Sequence, residues 1–191
     1  MQTSRQFAQD YLEHTLPLLR VYDGPEFEKA MSLMLEAYNK GNNIFICGNG
    51  GSAGTSNHMV NDLSKGTAVE GKKRLKVLGL ADNMSLLTAY ANDCGYETIF
   101  EEQLKNLFEP GDVLIAISAS GNSENVVRAA KYTVDNGGSV IGLVGFSGGK
   151  LKELSNPAIH FESKNYGSVE DAQLMFSHLS SQYLRYVIEN S

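Results

Sequence analysis

The sequence lacks the features of several protein classes. It has no tryptophan, four prolines and two cysteines among 191 residues. Cys47 and Cys94 lie far apart and form no CxxC motif, so we interpret both as reduced core thiols. No apolar run approaches the roughly 20 residues that span a bilayer. The first residues, MQTSRQFAQDYLEH, lack the basic-then-apolar order of a signal peptide. We therefore expect a cytoplasmic protein with no membrane partner.

Positive charge is also scarce. The chain has 16 Lys and Arg against 22 Asp and Glu, which gives a net charge of −6, and no basic block stands out. Binding to a nucleic acid backbone depends on clustered positive charge, so we expect no nucleic-acid partner. The length suits one well-buried domain and is too short for two ordinary ones.

Short apolar runs alternate with helical patterns along most of the chain. Alternation of this kind predicts an α/β fold with a five-stranded parallel sheet covered on both faces. The predicted strands are 43–48, 75–80, 112–118, 139–145 and 158–162. The predicted helices are 52–65, 84–92, 99–107, 123–136, 149–154 and 168–189, after two N-terminal helices. We expect a single domain, 1–191, with helices in 1–41 and the α/β core in 42–191.

Two of the turns after predicted strands are rich in glycine and serine. They read GNGGS at 48–52 and SASGNS at 118–123, and each opens a helix. Glycines let the backbone approach a ligand, and the N–H groups of a helix start favour an anion. The same residues also serve as ordinary helix caps, but two such loops on neighbouring strand ends favour a ligand site. Neither loop is a P-loop or a dinucleotide fingerprint, so a sugar phosphate is the favoured ligand.

Two pairs of potential metal ligands recur at helical spacing. His58 and Asp62 are four residues apart, and Glu170 and His178 are eight apart, so each pair shares one face of a helix. Nitrogen and oxygen ligands of this kind suit zinc or another divalent transition metal. Spacing alone favours the simpler interpretation of surface histidines and of carboxylates that complement a helix start.

The motifs CGNGGS, AND at 91–93 and ISASGNS resemble the sugar isomerase (SIS) domain. More narrowly, the chain resembles the phosphoheptose isomerases, which convert sedoheptulose 7-phosphate to a heptose 7-phosphate. The resemblance covers nearly the whole chain and implies a three-layer, flavodoxin-like sandwich and a homotetramer with active sites at subunit interfaces. It implies substrate contacts at Asn49, Gly50, Gly51, Ser52, Asn92, Asp93, Ser118, Ala119, Ser120 and Ser123. Ala119 stands where the family commonly has threonine.

The resemblance also implies a zinc site, because the family binds zinc with a His and a Glu four apart and a Gln and a His eight apart. The first pair is His58 and Asp62 here. For the second pair, two alignments are possible. Gln173 at the family's Gln position places Ser181 at the His position and loses the site, whereas a shift of three residues places Glu170 and His178 at these two positions and restores both ligands. This chain then departs from the family's ligand set at two positions: Asp62 stands where the family has Glu, and Glu170 stands where it has Gln.

These features together predict a phosphosugar aldose–ketose isomerase that acts on sedoheptulose 7-phosphate or a related sugar phosphate. An enediol mechanism needs a base and an acid, and we assign these roles to Asp62 and His178. The alternative is a non-catalytic SIS-domain protein, resembling a replication-initiation factor that acts as a tetrameric scaffold. The joint presence of His58, Asp62, Glu170 and His178 favours the enzyme.

Overall fold

The computed structural model describes all 191 residues and contains the predicted parallel sheet. Its strands are β1 (Asn43–Gly48), β2 (Lys76–Gly79), β3 (Val113–Ser118), β4 (Ser139–Val144) and β5 (Ala158–His160). They lie in the order β2-β1-β3-β4-β5, and every neighbouring pair is parallel. The predicted sheet is therefore confirmed, with β2 and β5 each two residues shorter than expected.

Eight α-helices surround the sheet. They are α1 (Ser4–Thr15), α2 (Pro25–Lys40), α3 (Gly51–Asn61), α4 (Met84–Asp93), α5 (Glu101–Leu107), α6 (Glu124–Asp135), α7 (Gly149–Leu154) and α8 (Tyr166–Glu189). A 3-10 helix, Leu16–Asp23, joins α1 to α2, and a shorter one, Tyr96–Thr98, precedes α5. The predicted helix 52–65 is α only to Asn61, after which a π-helical turn spans Asp62–Gly66.

The strands divide their side chains between two apolar layers. In β1, Ile44 and Ile46 join one buried cluster with residues of α2, α3 and α8. Phe45 and Cys47 point to the opposite face and join a second cluster with residues of α5, α6 and α7. Successive side chains of a strand face opposite sides, so this near-continuous apolar pattern is what a sheet covered on both faces requires. The three-layer sandwich is confirmed.

The two cysteines lie in different environments. Cys47 is fully buried, and this burial raises the pKa of its thiol to about 12, so it is an inert core thiol as expected. Cys94 is exposed, so the prediction of two core thiols is wrong for this residue. It directly follows α4, a helix with no buried residue, and the chain turns there on the surface.

The N-terminal helices pack on the same face of the sheet as α8. Helix α2 buries Met31 and Met34 in the first apolar cluster. Helix α1 is attached to α8 by polar contacts. The Thr15 hydroxyl donates to Ser168 Oγ at 2.8 Å, and the Tyr11 hydroxyl donates to Asp171 Oδ2 at 2.6 Å. The apolar side chains of α1 therefore stay largely on the surface.

The strand order places two loops at the usual ligand position of such sheets. The chain proceeds from β1 to β2 on one side and returns past β1 to β3 on the other, so the order reverses between β1 and β3. Ligands bind at the carboxyl ends of strands at this switch point. Gly48 ends β1 and Ser118 ends β3, and these residues begin the two glycine- and serine-rich turns. None of the helices is both long enough and apolar enough to cross a membrane.

Candidate active site

The two turns and the start of α8 enclose one pocket of about 280 Å³. It is lined by Asn49, Gly50, Gly51, Ser52, Ile117, Ser118, Ala119, Ser120, Ser123, Tyr166 and Glu170. Eight of these eleven residues are substrate contacts that the sequence analysis predicts, and the structure brings all eight together. The pocket opens at the topological switch point, which is where the sequence analysis expects a sugar phosphate.

The turn after β1 depends on glycine because the backbone is close to α8. Gly50 has a φ of 53°, a conformation that side chains disfavour. A Cβ on Gly51 would lie 2.5 Å from the carboxylate oxygen of Glu170. Helix α3 begins here, and its first N–H groups receive no side-chain cap. The uncapped start of α3 therefore faces the pocket with its partial positive charge.

The turn after β3 is held by hydrogen bonds to its own hydroxyls. Ser118 Oγ accepts from the Gly121 backbone N–H at 3.1 Å and lies 3.3 Å from Ser123 Oγ. Gly121 has a φ of 68°, and a Cβ there would overlap the carbonyl oxygen of Gly148. Ser123 is the N-cap residue of α6, yet its side chain makes no capping hydrogen bond. The Ser123 side chain therefore does not act as a helix cap, and the hydroxyls of Ser118, Ser120 and Ser123 line the pocket.

Charge in the pocket is negative. Glu170 is the one charged side chain among the lining residues, and no lysine or arginine joins it. A bound phosphate would have to be held by backbone N–H groups, hydroxyls and two helix dipoles rather than by a cation. The Glu170 carboxylate opposes such binding, because like charges repel at short range.

A second group of side chains lies further along α3 and α8. His58 Nε2 lies 3.1 Å from His178 Nε2 and 3.2 Å from Asp62 Oδ2, and His178 Nε2 lies 3.8 Å from the same oxygen. The Ser177 hydroxyl donates to Asp62 Oδ2 at 2.9 Å and fixes the carboxylate. The Asp62 side chain is 18% exposed, whereas both imidazoles are nearly half exposed. Three of the four predicted metal ligands are thus brought together.

The spacing of these three ligand atoms fits a tetrahedral metal ion. Bonds of about 2.0–2.1 Å to zinc place neighbouring ligand atoms roughly 3.4 Å apart, and the three distances here lie on both sides of that value. All three atoms fall within 4.8 Å of one another. Glu170, the fourth predicted ligand, does not join this group, because its carboxylate lies against Gly51 in the pocket.

Gln173 lies away from the group formed by His58, Asp62 and His178. Its side chain is fully buried, and its Nε2 donates to the carbonyl oxygen of Leu143 in β4 at 2.9 Å. It is turned into the core and cannot share a metal with His58. If Gln173 and Ser181 took the two ligand positions of α8, neither would lie at the cluster. If Glu170 and His178 take them, His178 lies at the cluster and Glu170 does not.

Two predicted substrate contacts lie outside the pocket. Asn92 and Asp93 are exposed at the end of α4, and Asn92 Nδ2 donates to Asp93 Oδ1 at 2.7 Å. Neither lines the pocket within this chain. Their motif identifies the residue types, but the position of α4 depends on its packing, which the motif does not encode.

Several residues near the site were not singled out from the sequence. Tyr166 lines the pocket. Its position could have been predicted from the sequence, because it precedes Glu170 by one helical turn on α8 and so lies on the same helix face. Ser177 holds Asp62, but a single serine beside a histidine carries no recognisable spacing. Asn125 and Tyr96 contact Asn49 from distant parts of the chain, so no local pattern could have found them.

Comparison with known proteins gives consistent matches. The SIS domain family matches residues 10–145, which include both turns and end before α8. A phosphoheptose isomerase of Aliarcobacter butzleri is 35% identical over 177 residues, covering 92% of this chain and 93% of that protein. A phosphoheptose isomerase of Mycobacterium bovis is 37% identical over 155 residues, covering 81% and 79% respectively. The solved phosphoheptose isomerase of Neisseria gonorrhoeae has a TM-score of 0.84 at 26% identity, covering 93% of this chain and 94% of that one.

Proposed function

The chain belongs to the SIS domain family, among the phosphoheptose isomerases, and we therefore propose that it interconverts the ketose and aldose forms of a sugar phosphate, sedoheptulose 7-phosphate first among them. The observation that carries this proposal is the pocket at the switch point, where the uncapped start of α3 and the hydroxyls of Ser52, Ser118, Ser120 and Ser123 converge. This chemistry suits the phosphate end of such a sugar. Ala119, which stands where the family commonly has threonine, removes one hydroxyl donor and leaves Ser118, Ser120 and Ser123.

The reacting carbons would lie at the other group of side chains. His178 follows Glu170 by eight residues on α8, which corresponds to about 12 Å along the helix axis. Because Glu170 lines the pocket, a ligand that extends from this pocket to His178 would need several carbon atoms. This separation supports a long ketose phosphate rather than a three-carbon one.

Isomerisation moves a proton between C1 and C2 through an enediol. We assign the proton removal to the Asp62 carboxylate, which is mostly buried and is held in place by the Ser177 hydroxyl. His178 lies within 3.8 Å of the same carboxylate oxygen and serves as the acid that protonates the developing oxyanion. In the second half of the reaction, His178 takes the proton of the C1 hydroxyl and Asp62 returns a proton to C2, so both groups are restored for the next cycle.

His58, Asp62 and His178 would hold a divalent metal, for which zinc is the first choice because two imidazoles and one carboxylate with an open position form a familiar catalytic ligand set. When bound, zinc would polarise the sugar carbonyl and stabilise its oxyanion. Glu170 as a fourth ligand stays a prediction from the resemblance, since its carboxylate lies at Gly51. The metal-ligand set also distinguishes the enzyme from the scaffold alternative.

Metal content tests this ligand set. After equilibration with zinc and removal of the excess, we expect about one ion per chain, lost in His58→Ala and in His178→Ala. His160→Ala is the matched control, because His160 bonds the Phe146 carbonyl instead. Zinc retained in both cluster variants would contradict the site, and zinc lost in Glu170→Ala would add the fourth ligand.

The predicted homotetramer is part of the same proposal. Helix α1 exposes Phe7 and Leu12, the 3-10 helix after it exposes Leu16, and α8 exposes Leu179, Tyr183 and Tyr186. Exposed apolar side chains gathered on neighbouring helices are typical of subunit contacts.

We also propose a cytoplasmic location for the protein. The unpaired Cys47 and Cys94 thiols suit the reducing cytoplasm.

Turnover of a panel of ketose phosphates, from three to seven carbons, tests the proposed reaction. We expect conversion to the aldose for the longest members and none for the three-carbon member. The same panel with Ser118→Ala should show a raised KM, because that variant removes a hydroxyl from the phosphate end. Absence of turnover on every member would contradict the proposed function.

A further inference from the structure

One hydrogen-bonded amide pair links the two turns of the pocket. Asn49 Nδ2 donates to Asn125 Oδ1 at 2.8 Å, and Asn125 Nδ2 donates back to Asn49 Oδ1 at 3.0 Å. Asn49 follows β1 and lines the pocket, whereas Asn125 lies in the first turn of α6 and does not line it. The pair therefore connects the turn after β1 to the start of α6, through a residue that does not line the pocket.

The orientation of the Asn125 amide is fixed by its surroundings. Asn125 is 2% exposed, and its Oδ1 also accepts from the Val126 backbone N–H at 2.9 Å. Because the oxygen must face that N–H group, the amide nitrogen must face Asn49. A flipped amide would set its own N–H groups against the Val126 N–H, an unfavourable contact between two donors.

Asn49 has both acceptor positions occupied. Its Oδ1 accepts from Asn125 Nδ2 and from the Tyr96 hydroxyl, which lies 2.9 Å away. A carbonyl oxygen has two lone pairs, so neither remains for a ligand. The Nδ2 group has two hydrogens, and only one is used by Asn125. The network therefore leaves Asn49, which lines the pocket, with one unused N–H donor.

We propose that Asn125 is a positioning residue, which holds the turn after β1 against the serine loop and presents Asn49 to an anion as a donor only. Tyr96 supports the same arrangement from the segment after α4. The inference rests on the proposed function in taking the anion to be the phosphate of the substrate. Asn125 itself touches no ligand and acts through Asn49.

Calorimetric titration of the full-length protein with inorganic phosphate tests this role. We expect Asn125→Ala to weaken phosphate binding about tenfold, the size expected for lost hydrogen bonds beside a buried amide. Tyr96→Phe, a change of an exposed residue that cannot disturb the core, should weaken it about threefold. Thr133→Val is the matched control: Thr133 is a buried polar residue of α6 whose hydroxyl bonds only the Ala129 carbonyl, so its loss should lower stability and leave phosphate affinity unchanged.

A double-mutant cycle separates positioning from a general weakening of the fold. In an Asn49→Ala background, Asn125→Ala should cost no further phosphate affinity, because the residue through which it acts is gone. An equal loss in both backgrounds, or unchanged binding in Asn125→Ala and Tyr96→Phe, would overturn the inference. If the double-mutant cycle gives the expected phosphate affinities but the protein turns over no sugar phosphate, the proposed function is refuted and the positioning role of Asn125 stands.

Discussion

At the scale of single residues, Glu170 sets the charge of the pocket. It is the one charged residue that lines it, and its carboxylate lies where a Cβ of Gly51 would be. The resemblance implies a neutral glutamine at the aligned position, so this chain would place a negative charge near the expected phosphate. Such a charge weakens the binding of any anion and favours the binding of a cation.

Glu170→Gln should therefore strengthen the binding of inorganic phosphate. Loss of one like charge near the solvent boundary is worth about 1 kcal/mol, or roughly fivefold in affinity. The matched control is Asp171→Asn, which removes the same charge from the next residue, whose carboxylate bonds Tyr11 and not the pocket. Titration of metal-free protein measures both variants, and equal affinities for Glu170→Gln and Asp171→Asn would contradict this role.

The sequence predicts the members of the site better than their partners. His58 and Asp62 could be paired because helical periodicity places residues four apart on one face. Glu170 could not be placed, because its side chain follows the close approach of α8 to Gly51, which only packing determines. The role of Asn125 could not be predicted for the same reason, since its partner Asn49 is 76 residues away in the sequence.

At the scale of elements, one ion-pair group joins α5 to α6. Arg128 Nε donates to Glu101 Oε2 at 2.7 Å, and Lys105 Nζ lies 3.2 Å from Glu101 Oε1. Burial alone would raise the pKa of Glu101, but the hydrogen bonds from Arg128 and Lys105 lower it below its ordinary value of 4.5. A lowered pKa in the folded state means that ionised Glu101 stabilises the fold above its unfolded pKa.

Glu101→Gln should accordingly reduce stability at pH 7, by less than about 1 kcal/mol because the Arg128 and Lys105 side chains that pair with it are exposed to solvent. The difference from the parent chain should shrink as the pH falls through 4 and below, because Glu101 becomes protonated there and the ion pairs are lost. Urea unfolding at several pH values measures this. Glu102→Gln is the control, since Glu102 bonds Lys105 within α5 and does not reach α6. A difference that grows towards low pH would be contrary to the assigned cause.

Element boundaries follow from the sequence where a simple period holds. The strands were predicted to within two residues, because runs such as Asn43–Gly48 are apolar on both faces and end at a turn residue. The helix predicted at 52–65 ends instead at Asn61, and a π-helical turn follows. Such turns interrupt α-helices at functional sites and have no periodic signature. Asp62 begins this turn.

At the scale of the whole molecule, we propose that residues 1–191 form a single domain. The N-terminal helices share the first apolar cluster with the sheet and α8, through Met31 and Met34 among others. Thr15 and Tyr11 add polar contacts between α1 and α8. A segment attached in this way gains little from folding separately, so the chain should unfold as one cooperative unit.

Urea unfolding at a fixed protein concentration checks this proposal. The circular dichroism signal and hydrogen exchange in α2 should report the same midpoint as hydrogen exchange in β3. A separate, earlier transition for residues 1–41 would instead divide the chain into two units. The concentration has to be fixed because subunit association would shift the midpoint.

The central claim is that Asp62 and His178 move the proton of an isomerisation. The most direct measurement is turnover of sedoheptulose 7-phosphate in D₂O, with deuterium incorporation at the reacting carbons followed by NMR. We expect the parent chain to form the aldose and incorporate deuterium, and Asp62→Asn and His178→Ala each to lose at least about a hundredfold in kcat with phosphate binding retained. Undiminished turnover and deuterium incorporation in both variants would contradict the account.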